Sequence, residues 1–263
     1  MKRLCGLILP VLLIGAGALN CLAVHSTANV EEIIQKSVAA NQRDFEAAPK
    51  YSYQETDRTG ASSKTYQVLM IDGSPYNRLI AENGSPISSV RDQEEQRKLA
   101  QATSQRRSES QADREKRIAK YQQERRRDHA MLQQLTVAFD FKLLGQHKSG
   151  GFQVYVLRAT PKPGYKPPNM ETQVLPAMHG ELWVDERTFD WVKVTAEVTH
   201  PVSIEGFLAE VEPGTRFELE KRPVGDGIWL PSHFAMASNA KVLHLFHHNS
   251  EENDTFSDYK RVQ

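Results

Sequence analysis

Val192, Val194, Ala196 and Val198 alternate with Lys193, Thr195 and Glu197. Period two places the four apolar side chains on one face of an extended strand and the polar three on the other. A strand with one wet and one dry face belongs to an antiparallel sheet that covers a core on one side. Phe139, Phe141 and Leu143 repeat the pattern against Asp140 and Lys142. Segments 152–159, 180–184, 216–220, 227–234, 241–247 and 255–261 have the same character, with turn residues between them. Three more strands, 51–55, 65–71 and 76–81, precede them, and Asn83-Gly84 is a strong hairpin signal. The sum is an α+β chain, mainly β: about ten or eleven strands in one strongly curved antiparallel half-barrel.

Two stretches interrupt the β pattern. Asn29 is placed to cap an N-terminal helix. Its first turn holds Glu31 and Glu32, where the helix dipole favours acids, and Val30, Ile33, Ile34 and Val38 form its apolar face. It ends before Pro49. The second stretch, 89–134, contains neither Pro nor Gly and is dominated by Arg, Lys, Glu, Asp and Gln. Its charges recur at helical spacing, and apolar residues are sparse before Ile118, Tyr121, Met131 and Leu132. A long charged helical insertion is expected, broken within 103–110 and docked only near its C-terminal end.

Met1, Lys2 and Arg3 precede an apolar run that closes on Cys21-Leu22-Ala23, a small-x-small cleavage pattern. Residues 1–23 therefore read as a signal peptide cleaved after Ala23, and 24–263 as a single exported domain. Lipidation at Cys21 is the alternative. The run is shorter than the ~20 residues of a membrane span. Cys5 and Cys21 are the two cysteines, so the body of the chain offers no thiolate metal site, thiol nucleophile or disulfide. With 33 basic and 33 acidic residues the chain is neutral, unlike a nucleic-acid-binding domain.

Little in the sequence points to catalysis. No Gly-x-Ser-x-Gly elbow is present, and no Gly-rich loop precedes a helix. His233, His244 and His248 are weak metal candidates: His244 and His248 share a strand face, with His247 opposite, and His233 has to join them across a hairpin. The carboxylate pairs Glu210/Glu212 and Glu251/Glu252 read as solvated surface. Residues 91–128 carry 12 basic and 8 acidic side chains, a local net of +4. Within them Arg114, Arg125, Arg126 and Arg127 are candidates for contact with anionic headgroups or a partner. Aromatic residues for base stacking are nearly absent there.

The order of elements, with the runs IDGSPYNRLIAENG, HGELWVDERTFDWVKVTAEV and RFELEKRPVGDGIWLPSHFAMAS, resembles the LolA/LolB superfamily of periplasmic lipoprotein carriers. The resemblance implies an open half-barrel covered by helices, with acyl chains held between them. It also implies a non-enzymatic role, without cofactor, in traffic towards the outer membrane. Lipid or acylated lipoprotein is then the partner, with anionic membrane surface or outer-membrane assembly proteins as further contacts. The segment 89–127 exceeds what a compact carrier needs, and no position matches the family's cavity arginine. Candidate lining residues on the sheet are Phe139, Phe141, Val154, Val156, Leu182 and Val192, then Val194, Phe217, Leu219, Ile228 and Leu230. Ile33 and Ile34 face them from the helix. Either that helix fills the hollow, or a cleft remains between helix and sheet. The filled version makes the chain a periplasmic interaction module with the charged helix as its docking surface.

Overall fold

The computed structural model describes residues 29–204, 209–242 and 246–262. The predicted signal peptide, Cys21 and His244 lie outside the described residues. Helix α1 (Val30–Ala47) is capped by the Asn29 side chain, which accepts from the Glu31 N–H at 3.0 Å. Pro49 then sits in a 3-10 turn, Ala48–Lys50, that leads into the sheet. Strands β1 (Tyr51–Thr59), β2 (Ser62–Ile71), β3 (Ser74–Glu82) and the two-residue β4 (Ser85–Pro86) form the first meander. Asp72-Gly73 (φ 45°, 85°) and Asn83-Gly84 (φ 50°, 76°) hold positive φ at both central positions, the geometry that matches a hairpin turn to strand twist.

The charged stretch folds as α2 (Ser89–Ser108) and α3 (Gln111–Gln133), broken at residues 109–110 within the predicted interval, and is followed by α4 (Leu135–Ala138). Docking differs from expectation, because α2 is held along its length by arginines rather than by apolar side chains. Arg78 pairs with Asp92 and Arg91 with Glu82. Arg106 donates to the carbonyls of Ile71, Ser74 and Pro75 at 2.9–3.0 Å, and Arg117 donates to Ser74 Oγ at 2.6 Å. Hydropathy alone misses such a clamp, since a guanidinium can satisfy several carbonyls at a turn without any apolar face.

The second meander comprises β5 (Phe139–Ser149), β6 (Phe152–Pro161), β7 (Met178–Asp185), β8 (Trp191–Val198), β9 (Val202–Ile204) and β10 (Ala209–Val211). It continues through β11 (Arg216–Gly225), β12 (Ile228–Val242) and β13 (Phe246–Arg261). The pairing order is β4-β3-β2-β1-β13-β12-β11-β8-β7-β6-β5, with the β9–β10 hairpin attached to β12. This is the expected curved antiparallel half-barrel, with eleven strands on its main path among the described residues. Of the predicted strand 241–247, residues 243–245 lie outside the described residues, and the rest is divided between two antiparallel strands, Lys241 and Val242 ending β12 and Phe246 and His247 opening β13, with Val242 paired to Phe246. Among the described residues no helix is long and apolar enough to cross a membrane.

α1 lies on the inner face of the sheet. Ile33 and Ile34 pack against Leu157, Leu182, Val184 and Trp191, and burying each isoleucine contributes about 1.5–3 kcal/mol. A buried polar clasp fastens the same helix further along. Lys221 Nζ stands 2.6 Å from Asp44 Oδ2 and donates to Asn41 Oδ1 at 3.2 Å, and the Trp229 N–H donates to Asp44 Oδ1 at 3.1 Å. Arg43 reaches Asp190 at 2.6 Å. Burial lowers the Lys221 pKa and raises that of Asp190 to about 6.

Candidate functional site: an apolar groove and an acidic neighbour

One cross-strand row organises the inner face. Leu143 on β5 pairs with Leu157 on β6, then come Leu182 (β7), Val194 (β8), Leu219 (β11) and Phe234 (β12). The row continues through Asp254 (β13), Asp57 (β1) and Lys64 (β2). Six apolar positions are thus followed by two carboxylates and an amine on the same face of one sheet.

A cavity of about 360 Å³ opens on the apolar part. Phe139, Phe141, Leu182, Val194, Phe217 and Leu219 line it, together with Phe234. Leu135 from α4, Leu175 from a 3-10 turn and Met178 complete the wall. Phe141, Val194, Phe217, Leu219 and Phe234 remain half-exposed, so α1 fills one part of the hollow and leaves this part open. The filled and cleft readings of the sequence each describe one end of the same sheet. Gly180 sits in the cavity lining between Ala159 and Ala196, its partners on β6 and β8. A Cβ there meets the Thr195 carbonyl oxygen at 2.1 Å, so only glycine allows β7 and β8 this approach.

The other candidate lining residues lie elsewhere. Val154 and Val156 alternate with Leu157 and point to the opposite face, where they pack with Trp229 and with Val192, which was expected beside Val194 but is turned away from it by the register shift between β7 and β8. Ile228 and Leu230 form a cluster with Tyr51 beneath the end of α1, and Ile33 and Ile34 belong to the filled part. Periodicity assigns residues to faces but does not say which face is inside. The groove residues missed in the sequence are Leu135, Leu175, Met178 and Phe234. Phe234 alternates with Pro231 and Ser232 poorly, and Leu175 lies in a Pro-containing turn with no period.

The arginine candidates divide in two. Arg125 lies over the Phe45 ring at 4.1 Å and donates to the Phe45 carbonyl, while Arg114 pairs with Glu109 at 3.5 Å. These two serve the fold, whereas Arg126 and Arg127 are exposed on α3. Of the histidine candidates, the strand positions of His233 and His248 are described, and they lie far apart. His233 pairs with Thr255 and His248 with Ala240, seven residues further along β12, roughly 23 Å at strand rise. His233 Nδ1 instead lies 3.8 Å from Glu218 Oε1.

Beside the groove, the two carboxylates of the row gain a third. Glu55 lies two residues before Asp57 on β1, and ligand oxygens of Glu55, Asp57 and Asp254 all lie within 4.8 Å of one another. Burial, then the Asp57 charge, pushes Glu55 up to about 7. Burial, then the Glu252 and Asp57 charges, pushes Asp254 up to about 6, and burial, then the Glu252 charge, raises Asp57 against the opposing effect of Lys64. A sequence signal existed: Tyr51, Tyr53, Glu55 and Asp57 alternate on β1, so both acids share the face of two aromatics.

No family model and no curated protein matches this sequence. Solved structures similar to it include a domain described as an outer membrane lipoprotein-sorting protein from Vibrio parahaemolyticus. It is 11% identical, with 86% of this chain and 92% of that chain covered and a TM-score of 0.31. The LolA superfamily protein NE2245 from Nitrosomonas europaea is 15% identical, with coverage of 89% and 93% and a TM-score of 0.32. The MucA/MucB complex of Pseudomonas aeruginosa gives 12% identity, 86% and 99% coverage and a TM-score of 0.25. At these scores the likeness carries no inference about activity, which has to come from the residues of this chain.

Proposed function

We propose that this protein is a non-catalytic carrier that takes the acyl part of a lipid, or of an acylated lipoprotein, into the groove on the inner face of its sheet. The observation that supports this reading is an apolar cavity of about 360 Å³ whose aromatic and aliphatic walls stay half-exposed. Ligand pockets typically occupy about 300–1,000 Å³ and are mostly apolar. Transfer of a methylene from water into such a groove gains about 0.8 kcal/mol, so a short stretch of acyl chain supplies the affinity without a polar anchor. The proposed setting is the periplasm, after export on residues 1–23, with traffic towards the outer membrane.

Native mass spectrometry of gently extracted protein tests both parts. Adducts that dissociate as phospholipid or acylated peptide are expected on a chain that begins at Val24. A lipid-modified Cys21 at the N-terminus would replace export in soluble form with anchoring. A Val194→Trp variant fills the groove and should lose both the adduct and the fluorescence of a bound hydrophobic dye while its circular dichroism is unchanged. Full dye binding by that variant would remove the groove as the binding site.

A further inference from the structure

We propose that Glu55, Asp57 and Asp254 form a binding site for a hard divalent cation, with Ca²⁺ as the fitting ion. The site lies on the inner face one strand beyond the wall of the groove, since Asp254 pairs with the groove residue Phe234 and neighbouring strands are about 4.8 Å apart. It is independent of what the groove carries.

Geometry and chemistry agree on the class of ion. Three oxygens no more than 4.8 Å apart fit within a circle of radius at most about 2.8 Å (4.8 Å divided by √3), close to the 2.3–2.6 Å of Ca²⁺–oxygen bonds. All three ligands are carboxylates, which favour Ca²⁺, Mg²⁺ or Mn²⁺ over thiolate- and imidazole-seeking metals. Ca²⁺ tolerates irregular shells, whereas Mg²⁺ demands a near-ideal octahedron. Waters can complete the coordination from the open side of the sheet, where Glu55 and Asp57 are half-buried.

A second observation points to a missing partner. Asp254 is 8% exposed; its carboxyl group meets the Arg58 backbone N–H and the Glu252 side chain, while its Oδ1 is a buried oxygen without a hydrogen-bond partner. A buried carboxylate oxygen in that condition carries a desolvation penalty that a cation removes. Around it stand Glu252, which adds negative charge, and Lys64, the amine that acts on Asp57. Tyr53 and Tyr66 flank Glu55.

The two tyrosines provide the assay. Protein freed of metal with a chelator and titrated with Tb³⁺ should show tyrosine-sensitised luminescence that saturates at one ion per chain and is displaced by Ca²⁺. Asp57→Asn and Asp254→Asn should each weaken binding at least tenfold. In chelator, both variants should melt at or above the wild-type temperature, because each removes like-charge repulsion, and this confirms that they fold. Glu55→Gln serves as a third variant if either fails. Absence of a sensitised signal together with no calorimetric heat at millimolar Ca²⁺ would overturn the proposal and leave a proton-sharing cluster. Unchanged affinity in the Asp57→Asn/Asp254→Asn double variant would also overturn it, by placing the ion elsewhere.

Discussion

Replacing Asp44 with alanine should unfasten α1 from the sheet. Asp44 is 2% exposed and its partner Lys221 is 4% exposed, so neither can exchange the other for water. Removing one member of a buried pair leaves an uncompensated charge, at about 3–5 kcal/mol. Two further effects act in opposite directions. Asn41 Oδ1 still accepts from Lys221 at 3.2 Å, which moderates the loss, and the Trp229 N–H forfeits its acceptor, which adds to it. The expected net destabilisation is about 3–5 kcal/mol, or roughly 6–20 °C in Tm for a domain of this size.

Urea unfolding followed by tryptophan fluorescence reads this directly, because Trp191 and Trp229 are buried beside the clasp. The Asp44→Asn/Lys221→Met double variant, which has no stranded charge, should recover at least ~2 kcal/mol relative to Asp44→Ala. The pH dependence has a fixed sign. Lys221 has a folded pKa below its unfolded value, so the folded state releases the proton first. Stability therefore rises with pH between the two values, and the deficit of Asp44→Ala should shrink on the alkaline side of neutrality. A loss under ~1 kcal/mol in Asp44→Ala, or no recovery in the double variant, would refute the role given to the pair.

Three further outcomes are expected. The acidic cluster has folded pKa values raised to about 7 for Glu55 and about 6 for Asp254. Its contribution is fully present below the unfolded carboxylate range and is lost as pH rises through those values, so Glu55→Gln should flatten the fall in Tm between about pH 4 and 7. Gly180→Ala should destabilise by about 1–3 kcal/mol, as overpacking does, because its methyl meets the Thr195 carbonyl at 2.1 Å; a Tm equal to wild type would show that β7 and β8 can separate freely. Arg106→Ala removes three hydrogen bonds to the β2–β3 turn and its flanks, and should speed proteolytic cleavage near residues 109–110 while leaving the Tm of the main sheet within about 2 °C. Unchanged cleavage would mean that Arg78 and Arg117 hold α2 and α3 without it.

Much of this fold is local in origin and was therefore legible in one dimension. The alternation from Val192 to Val198 makes β8, and Asp72-Gly73 and Asn83-Gly84 make tight hairpins because Asp, Asn and Gly tolerate positive φ. Asn29 starts α1, and the polar run at 103–110 contains the break between α2 and α3. Each of these depends on residues a few positions apart. Within a regular strand the face on which a side chain falls was equally readable, as Phe139 and Phe141 on the groove side show, but the register shift between β7 and β8 breaks the period at Val192 and puts it on the face opposite Val194.

Which face became the interior, and which strands became neighbours, was decided only by the closure of the sheet. Val154 and Val156 are as apolar as Leu157, yet α1 lies on the other side of β6 from them. Asp57 and Asp254 lie near opposite ends of the chain, and they meet because β13 inserts between β12 and β1. The same long-range pairing puts carboxylates beside an apolar groove and brings Lys221 under Asp44. Period and propensity encode the strand; the order of strands follows from minimising exposed apolar area and unpaired charge over the whole molecule. The groove and the acidic cluster belong to that second level, and so does whatever this protein holds.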